Sequence, residues 1–248
     1  MADSHFDDLS PQQGTALRGR AKLSFVSEMF DRIAANYDAL NCVISLGQTT
    51  LWRLLALRKL GGVLQQGSTV LDVGCGTGWV SAYLHRKYPQ LKLQIEGMDC
   101  SENMLEIARV KDPRSSFRCG DVCNMDFLAD ESFDCVITVY TLRNFPDLQD
   151  ALAEMMRVLK PGGTLLILDA FPPAYWFMQR LLDLWLGWLV PRIVALFSHE
   201  KAYRYLSASI QNTVPTSKVA GMLESIGCSQ LEVSLYSLGA AGCIVAKK

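Results

Sequence analysis

No charge of one sign dominates this chain: 24 Lys and Arg stand against 25 Asp and Glu, a formal net charge of −1. Proteins that grip nucleic acid by its phosphates carry a basic excess, so no nucleic-acid partner is expected. Histidine is scarce, with three residues in the chain. The eight cysteines are scattered at 42, 75, 100, 119, 123, 135, 228 and 243, and none forms a Cys-x-x-Cys pair. Cys119 and Cys123 have no histidine nearby and make a poor zinc site, so no metal is expected. Unpatterned cysteines fit reduced thiols in the cytoplasm. The first ten residues are polar and acidic, unlike a signal peptide, and no internal repeat is evident. The apolar stretch 174–197 is broken by Arg180, Asp183, Pro191 and Arg192. A spanning helix wants about twenty residues largely free of charge, which excludes a transmembrane reading of that stretch.

Half of the 248 residues are hydrophobic, enough for a large core. Residues 1–20 read as a mobile polar tail and 21–248 as one domain. Phe25, Met29, Ile33 and Tyr37 recur at fourfold spacing, a helical signal that Ser45-Leu46-Gly47 interrupts. Strand patterns follow at 69–74, 91–99, 115–119, 133–140 and 163–170, with helical patterns between them at 79–88, 101–110 and 147–159. Two more helices are predicted at 202–210 and 216–226, then strands at 230–236 and 242–247. Alternating strands and helices predict an α/β fold with a mostly parallel sheet. The stretch 174–226 reads as a helical cap inserted before the last strands.

The sharpest signal is Val70-Leu71-Asp72-Val73-Gly74-Cys75-Gly76-Thr77-Gly78. An apolar strand breaks into a glycine turn and opens a helix at Trp79. Alternate glycines let a ligand approach the backbone, and free N–H groups at a helix start favour an anionic group. A dinucleotide fingerprint spaces its glycines Gly-x-Gly-x-x-Gly. Here the spacing is Gly-x-Gly-x-Gly after Asp72. That resembles class I methyltransferases, a Rossmann-like fold with a seven-stranded, mostly parallel sheet and helices on both faces. The resemblance implies strand order 3-2-1-4-5-7-6 with strand 7 antiparallel, and S-adenosylmethionine as cofactor. Gly74, Gly76 and Gly78 would cradle it. Thr77 would bond within the loop or to the methionine carboxylate. Asp72, buried in a strand, would organise the loop or receive the ammonium through water. Asp99, ending the second strand, would accept the ribose hydroxyls, with helix capping as the alternative. Asp121 and the Val122 backbone would meet the adenine, with a plain Gly-Asp turn as the alternative.

The flanks narrow the resemblance. Phe30-Asp31-Arg32-Ile33-Ala34-Ala35-Asn36-Tyr37-Asp38, Ser45-Leu46-Gly47 and Leu51-Trp52-Arg53 are similar to the N-terminal helices of the ubiquinone/menaquinone biosynthesis C-methyltransferases. Thr141-Leu142-Arg143-Asn144-Phe145 is similar to that family's middle motifs, and Tyr203-Arg204-Tyr205-Leu206-Ser207-Ala208-Ser209-Ile210 to its tyrosine-rich cap segment. The resemblance implies methylation of a ring carbon of a polyprenylated quinol, either demethylmenaquinol or a benzoquinol precursor of ubiquinone. Other aromatic or lipid acceptors, a non-catalytic subunit of a quinone-biosynthetic assembly, and a nicotinamide oxidoreductase are the competing readings. Arg143 and Asn144, past the fourth strand, are the first catalytic candidates. Arg143 would stabilise a phenolate or hold a proton-shuttling water, or else form an ion pair, with Asp147 the nearest carboxylate in sequence. Tyr37 would reach over the site or pack in the core. His199 is the remaining neutral base. Tyr203 and Tyr205 would orient the ring or pack. The stretch 174–197, with Trp176, Trp185 and Trp188, fits either a cover for the lipophilic tail with peripheral contact at the inner membrane surface, or a packing surface on the domain or on a second copy in a homodimer.

Overall fold

The structure is a computed structural model that describes residues 9–171, 180, 184, 185 and 200–248. Seven strands form one sheet: β1 (Thr69–Val73), β2 (Gln94–Asp99), β3 (Ser116–Cys119), β4 (Phe133–Val139), β5 (Leu159–Ala170), β6 (Ser229–Tyr236) and β7 (Ala241–Lys247). Their order is β3-β2-β1-β4-β5-β7-β6. The pairings among β1 to β5 are parallel, while β7 runs antiparallel to both β5 and β6. This is the Rossmann-like order that the resemblance implies. β5 begins earlier than the sequence suggests. Leu159 already pairs with Phe133, and an irregularity at Lys160–Gly163 absorbs the residues read as a turn.

Successive strand residues point to opposite faces, and both faces are covered. Val70 packs with Ile95, Cys135, Ile137 and Leu166 against α4 (Gln48–Arg58) and α5 (Trp79–Lys87). Leu71 and Val73 pack with Met98 and Val136 on the other face, against α7 (Leu148–Val158) and the second C-terminal helix, α9 (Thr216–Ser225). Val219 and Leu223 of α9 are fully buried in that second layer. So α9, which the sequence places in the cap, belongs to the body of the domain.

A third apolar cluster joins α2 (Gly19–Ile33), α3 (Tyr37–Ile44), α6 (Glu102–Lys111) and α8 (Glu200–Gln211). The fourfold pattern of α2 runs on through a 3-10 turn at Ala34–Asn36. Tyr37 therefore continues the spacing but starts a new helix. Where the sequence reads as a mobile tail, residues Pro11–Ala16 form α1, opened by a Ser10 capping box. The stretch 174–197 lies outside the described residues except for Arg180, Leu184 and Trp185. The Trp185 indole donates to the Ile44 carbonyl at 2.9 Å. Among the described residues no helix is long and apolar enough to cross a membrane.

One buried chain of polar groups ties the helical layer together. Lys22, 2% exposed, donates from Nζ to the Gly14 carbonyl at 3.1 Å and to the Tyr205 hydroxyl at 2.7 Å. The Tyr205 hydroxyl donates in turn to Asn144 Oδ1 at 3.2 Å. Burial, with Arg18 adding, lowers the Lys22 ammonium from 10.5 to about 8. Below that value the buried charge weakens the fold. Between about 8 and 10.5 the unfolded chain keeps a proton that the folded chain has released, so this contribution to stability rises with pH. The stability of the unmodified protein relative to Lys22→Met is expected to rise by roughly 3 kcal/mol across that window. Urea titrations of both proteins at pH 7.5 and 10 check this, and a constant difference would refute it.

Candidate active site

At the carboxyl end of β1 the chain turns through Gly74, Gly76 and Gly78, all at positive φ. The Gly74 and Cys75 N–H groups both donate to the Met98 carbonyl, at 2.7 and 3.0 Å, which fixes the loop to the end of β2. A Cβ on Gly74 would fall inside the Thr141 side chain. One on Gly78 would come within 2.9 Å of the Ala108 Cβ, so that glycine serves the packing of α5 on α6.

Asp99 sits across from the loop. Its Oδ2 accepts from the Gly76 N–H at 2.8 Å and its Oδ1 from the Ser101 N–H at 3.0 Å. Loss of surrounding water pushes its carboxyl above the ordinary value, and the backbone bonds oppose that rise. Asp72 is 1% exposed and accepts from the Ser81 hydroxyl at 3.0 Å. Burial pushes it up to about 7. Thr77 does not present a free hydroxyl. It donates to Asp38 Oδ2 at 2.8 Å and accepts from Lys111 Nζ at 2.9 Å, so α3 and α6 both close on the loop.

These groups line one cleft of about 890 Å³, part of it continuous with solvent. Asp72, Gly74, Gly76, Thr77 and Asp99 make its polar floor, and Leu23, Val26 and Phe30 of α2 an apolar wall. Val122, Tyr37 and Asn144 also line it. Tyr37 packs edge-on against Phe30 at 5.7 Å between ring centres, and burial raises its hydroxyl's pKa.

Three expected site residues fall outside the cleft. Gly78 packs against α6. Asp121 lines a neighbouring surface groove, and its Oδ1 accepts from the Cys123 N–H at 2.9 Å, a local turn bond. Gly120 and Val122, on either side of it, line the cleft instead. Arg143 is the third. Its guanidinium pairs with buried Asp169 on β5, not with Asp147, which caps α7. Asp169 also accepts from the Leu142 N–H at 2.9 Å, so this ion pair holds the turn that carries Asn144. Tyr205 is fully buried and reaches the cleft only through Asn144. His199 and the Tyr203 side chain lie outside the described residues.

Two further cleft residues, Tyr140 and Arg53, bear on the chemistry of the site. Tyr140 follows β4 at φ 64°, a strained conformation for an aromatic residue, and its hydroxyl donates to the Thr49 carbonyl at 2.9 Å. Arg53 lies among the buried Trp52, Ala56 and Leu57 of α4. Its position one turn before Leu57, on an otherwise apolar face, was the available signal.

The comparisons with known proteins agree with this geometry. A profile of the ubiE/COQ5 methyltransferase family matches residues 18–248. The demethylmenaquinone methyltransferase of Thermotoga maritima is 39% identical over 212 residues, covering 85% of this chain and 89% of that protein. A ubiquinone/menaquinone biosynthesis C-methyltransferase from Desulfotalea psychrophila is 34% identical over 220 residues, covering 88% and 87%. The crystal structure of a SAM-dependent methyltransferase from Thermotoga maritima superposes with a TM-score of 0.61 at 22% identity, covering 90% of this chain and 99% of that one. At that identity the likeness shows the fold.

Proposed function

The chain belongs to the ubiE/COQ5 methyltransferase family, which makes it an S-adenosylmethionine-dependent enzyme, and from that premise we propose that it methylates a ring carbon of demethylmenaquinol. One observation carries the choice of a lipophilic acceptor: the cleft lined by the polar loop residues is also lined by the apolar Leu23, Val26 and Phe30 of α2. The relatives named as demethylmenaquinone methyltransferases favour the naphthoquinol. The relative named for both pathways keeps a benzoquinol as the second acceptor to test.

The residues present fit the cofactor. Gly76 has open space where a Cβ would stand, Asp99 keeps acceptor capacity for the ribose hydroxyls, and Asp72 would receive the methionine ammonium. The bound sulfonium supplies an already activated methyl group. The protein's part is to align the acceptor, exclude water and meet charge that develops on the acceptor oxygen. We assign the last of these to Asn144. Its Oδ1 is taken by Tyr205, which leaves its Nδ2–H groups for the cleft. Arg143 acts through Asp169 by holding the Asn144 turn in position, and Tyr37 closes the wall. The arrangement needs no spanning helix. The apolar wall gives the tail a place to lie at a membrane surface.

The deciding experiment supplies labelled S-adenosylmethionine with reduced short-tail demethylmenaquinone and, in parallel, a benzoquinol precursor. Ring-carbon methylation of the naphthoquinol is expected by mass spectrometry and NMR. Transfer to the benzoquinol alone would move the assignment to ubiquinone synthesis, and transfer to neither would refute it.

Asp72 gives the site a pH signature. A ligand ammonium favours the ionised carboxylate, so below about 7 binding must expel the Asp72 proton. Affinity for S-adenosylhomocysteine is expected to rise by up to about tenfold per unit from pH 5.5 to 7 and then level off. Asp72→Asn flattens the profile. Calorimetry in two buffers of different ionisation enthalpy checks the proton release, and identical heats at pH 6 would refute it.

A further inference from the structure

Arg53 is only 9% exposed, and its guanidinium carbon lies 5.1 Å from the Trp79 ring centre and 5.2 Å from that of Tyr140. Trp79 opens α5 after the glycine loop, and Tyr140 follows β4. The cation therefore spans the crevice between the ends of β1 and β4, where the strand order reverses and where α/β sheets bind ligands. Buried arginines are ordinarily paired with a carboxylate or fully hydrogen-bonded. Among the described residues Arg53 forms no ion pair, and its buried Nε–H has no hydrogen-bond partner. The two rings orient the guanidinium without satisfying its N–H groups. It is also the one basic side chain among the described residues that line the cleft.

We propose that Arg53 receives the α-carboxylate of S-adenosylmethionine. The assignment rests on the cofactor reading above. The methionine end of that molecule is a zwitterion, and its site must offer both signs of charge. Asp72 supplies the negative group and Arg53 the positive one, in the same cleft. Thr77 is poorly suited to the carboxylate, because its hydroxyl already donates to Asp38 and accepts from Lys111. A quinol carries neutral hydroxyls before reaction, so it would leave a buried, unpaired guanidinium without a counter-charge.

Calorimetry on the unmodified protein and on Arg53→Gln, with S-adenosylhomocysteine and its decarboxylated analogue, tests the assignment. The unmodified protein is expected to prefer the carboxylate-bearing ligand by about 10- to 100-fold, the range of a charge-assisted bond. Arg53→Gln should bring the two ligands to parity through weaker S-adenosylhomocysteine binding alone, and Arg53→Lys should restore part of the preference. Equal affinities on the unmodified protein overturn the assignment. So does a preference that survives Arg53→Gln while the KM for the quinol rises, a pattern that puts Arg53 on the acceptor. If Arg53→Gln does not fold, the Nε–H resonance of Arg53 in the unmodified protein decides. It must shift with S-adenosylhomocysteine and not with the analogue, or the assignment falls. Failure of the unmodified protein to bind S-adenosylhomocysteine at all would remove the cofactor reading and this assignment with it.

Discussion

Asp99→Ala is expected to lower affinity for S-adenosylhomocysteine by about 100-fold or more, with a much smaller effect on the KM for the quinol. The size follows from what the carboxylate holds. It accepts the Gly76 N–H from the glycine loop and the Ser101 N–H from the start of α6. Alanine removes both bonds and, on the proposed cofactor assignment, the charged acceptor for the ribose, each worth roughly 1.5–3 kcal/mol. It also leaves two backbone donors to find water. Asp99→Asn keeps the shape and loses the charge, so its defect should be intermediate. Titration calorimetry reads the affinities directly. An Asp99→Ala protein that binds as tightly as the unmodified one would show that the carboxylate serves only to cap α6.

Gly74→Ala is expected to destabilise the fold by roughly 2–4 kcal/mol and to weaken cofactor binding with it. Two separate penalties combine. The residue sits at φ 67°, a left-handed conformation that costs an L-residue about 1–2 kcal/mol. Its new methyl would also overlap the Thr141 side chain. The second penalty is removable. Thr141→Gly in the Gly74→Ala background should recover the steric part and leave the conformational part, a non-additivity characteristic of touching residues. Urea denaturation of the four proteins measures it. Strictly additive changes would mean that the loop relaxes away from Thr141.

The parts of the site that follow from local sequence were legible in advance, and the parts made by distant pairing were not. The glycine spacing after Asp72 marks a strand, a turn and a helix start within nine consecutive residues, and the structure places them so. Asp99 likewise ends a strand and faces that loop. Arg143 shows the limit. Asp147 is four residues away and Asp169 is 26 residues away, yet β5 runs beside β4 and delivers Asp169. Sequence distance says nothing about which strand is the neighbour. Tyr37 shows another limit, because fourfold spacing continues across the Ala34–Asn36 turn and conceals the helix break. The apolar helix face around Arg53 marks it as buried, but the rings of Trp79 and Tyr140 that enclose it come from distant segments. Gly78 shows a third limit, because packing α5 against α6 and making room for a ligand select the same residue type.

The Lys22 chain also bears on where the folding unit begins. The family profile starts at residue 18, just after α1. Cutting the protein there would remove the Gly14 carbonyl and leave the Lys22 ammonium with one acceptor fewer. It would also uncover the Phe25 ring, against which Gly14 lies so closely that no Cβ would fit. Through Tyr205 the disturbance reaches Asn144 at the cleft. A chain trimmed to its family-matched segment would therefore be less stable and less active than the whole, although every residue assigned to the cleft would still be present.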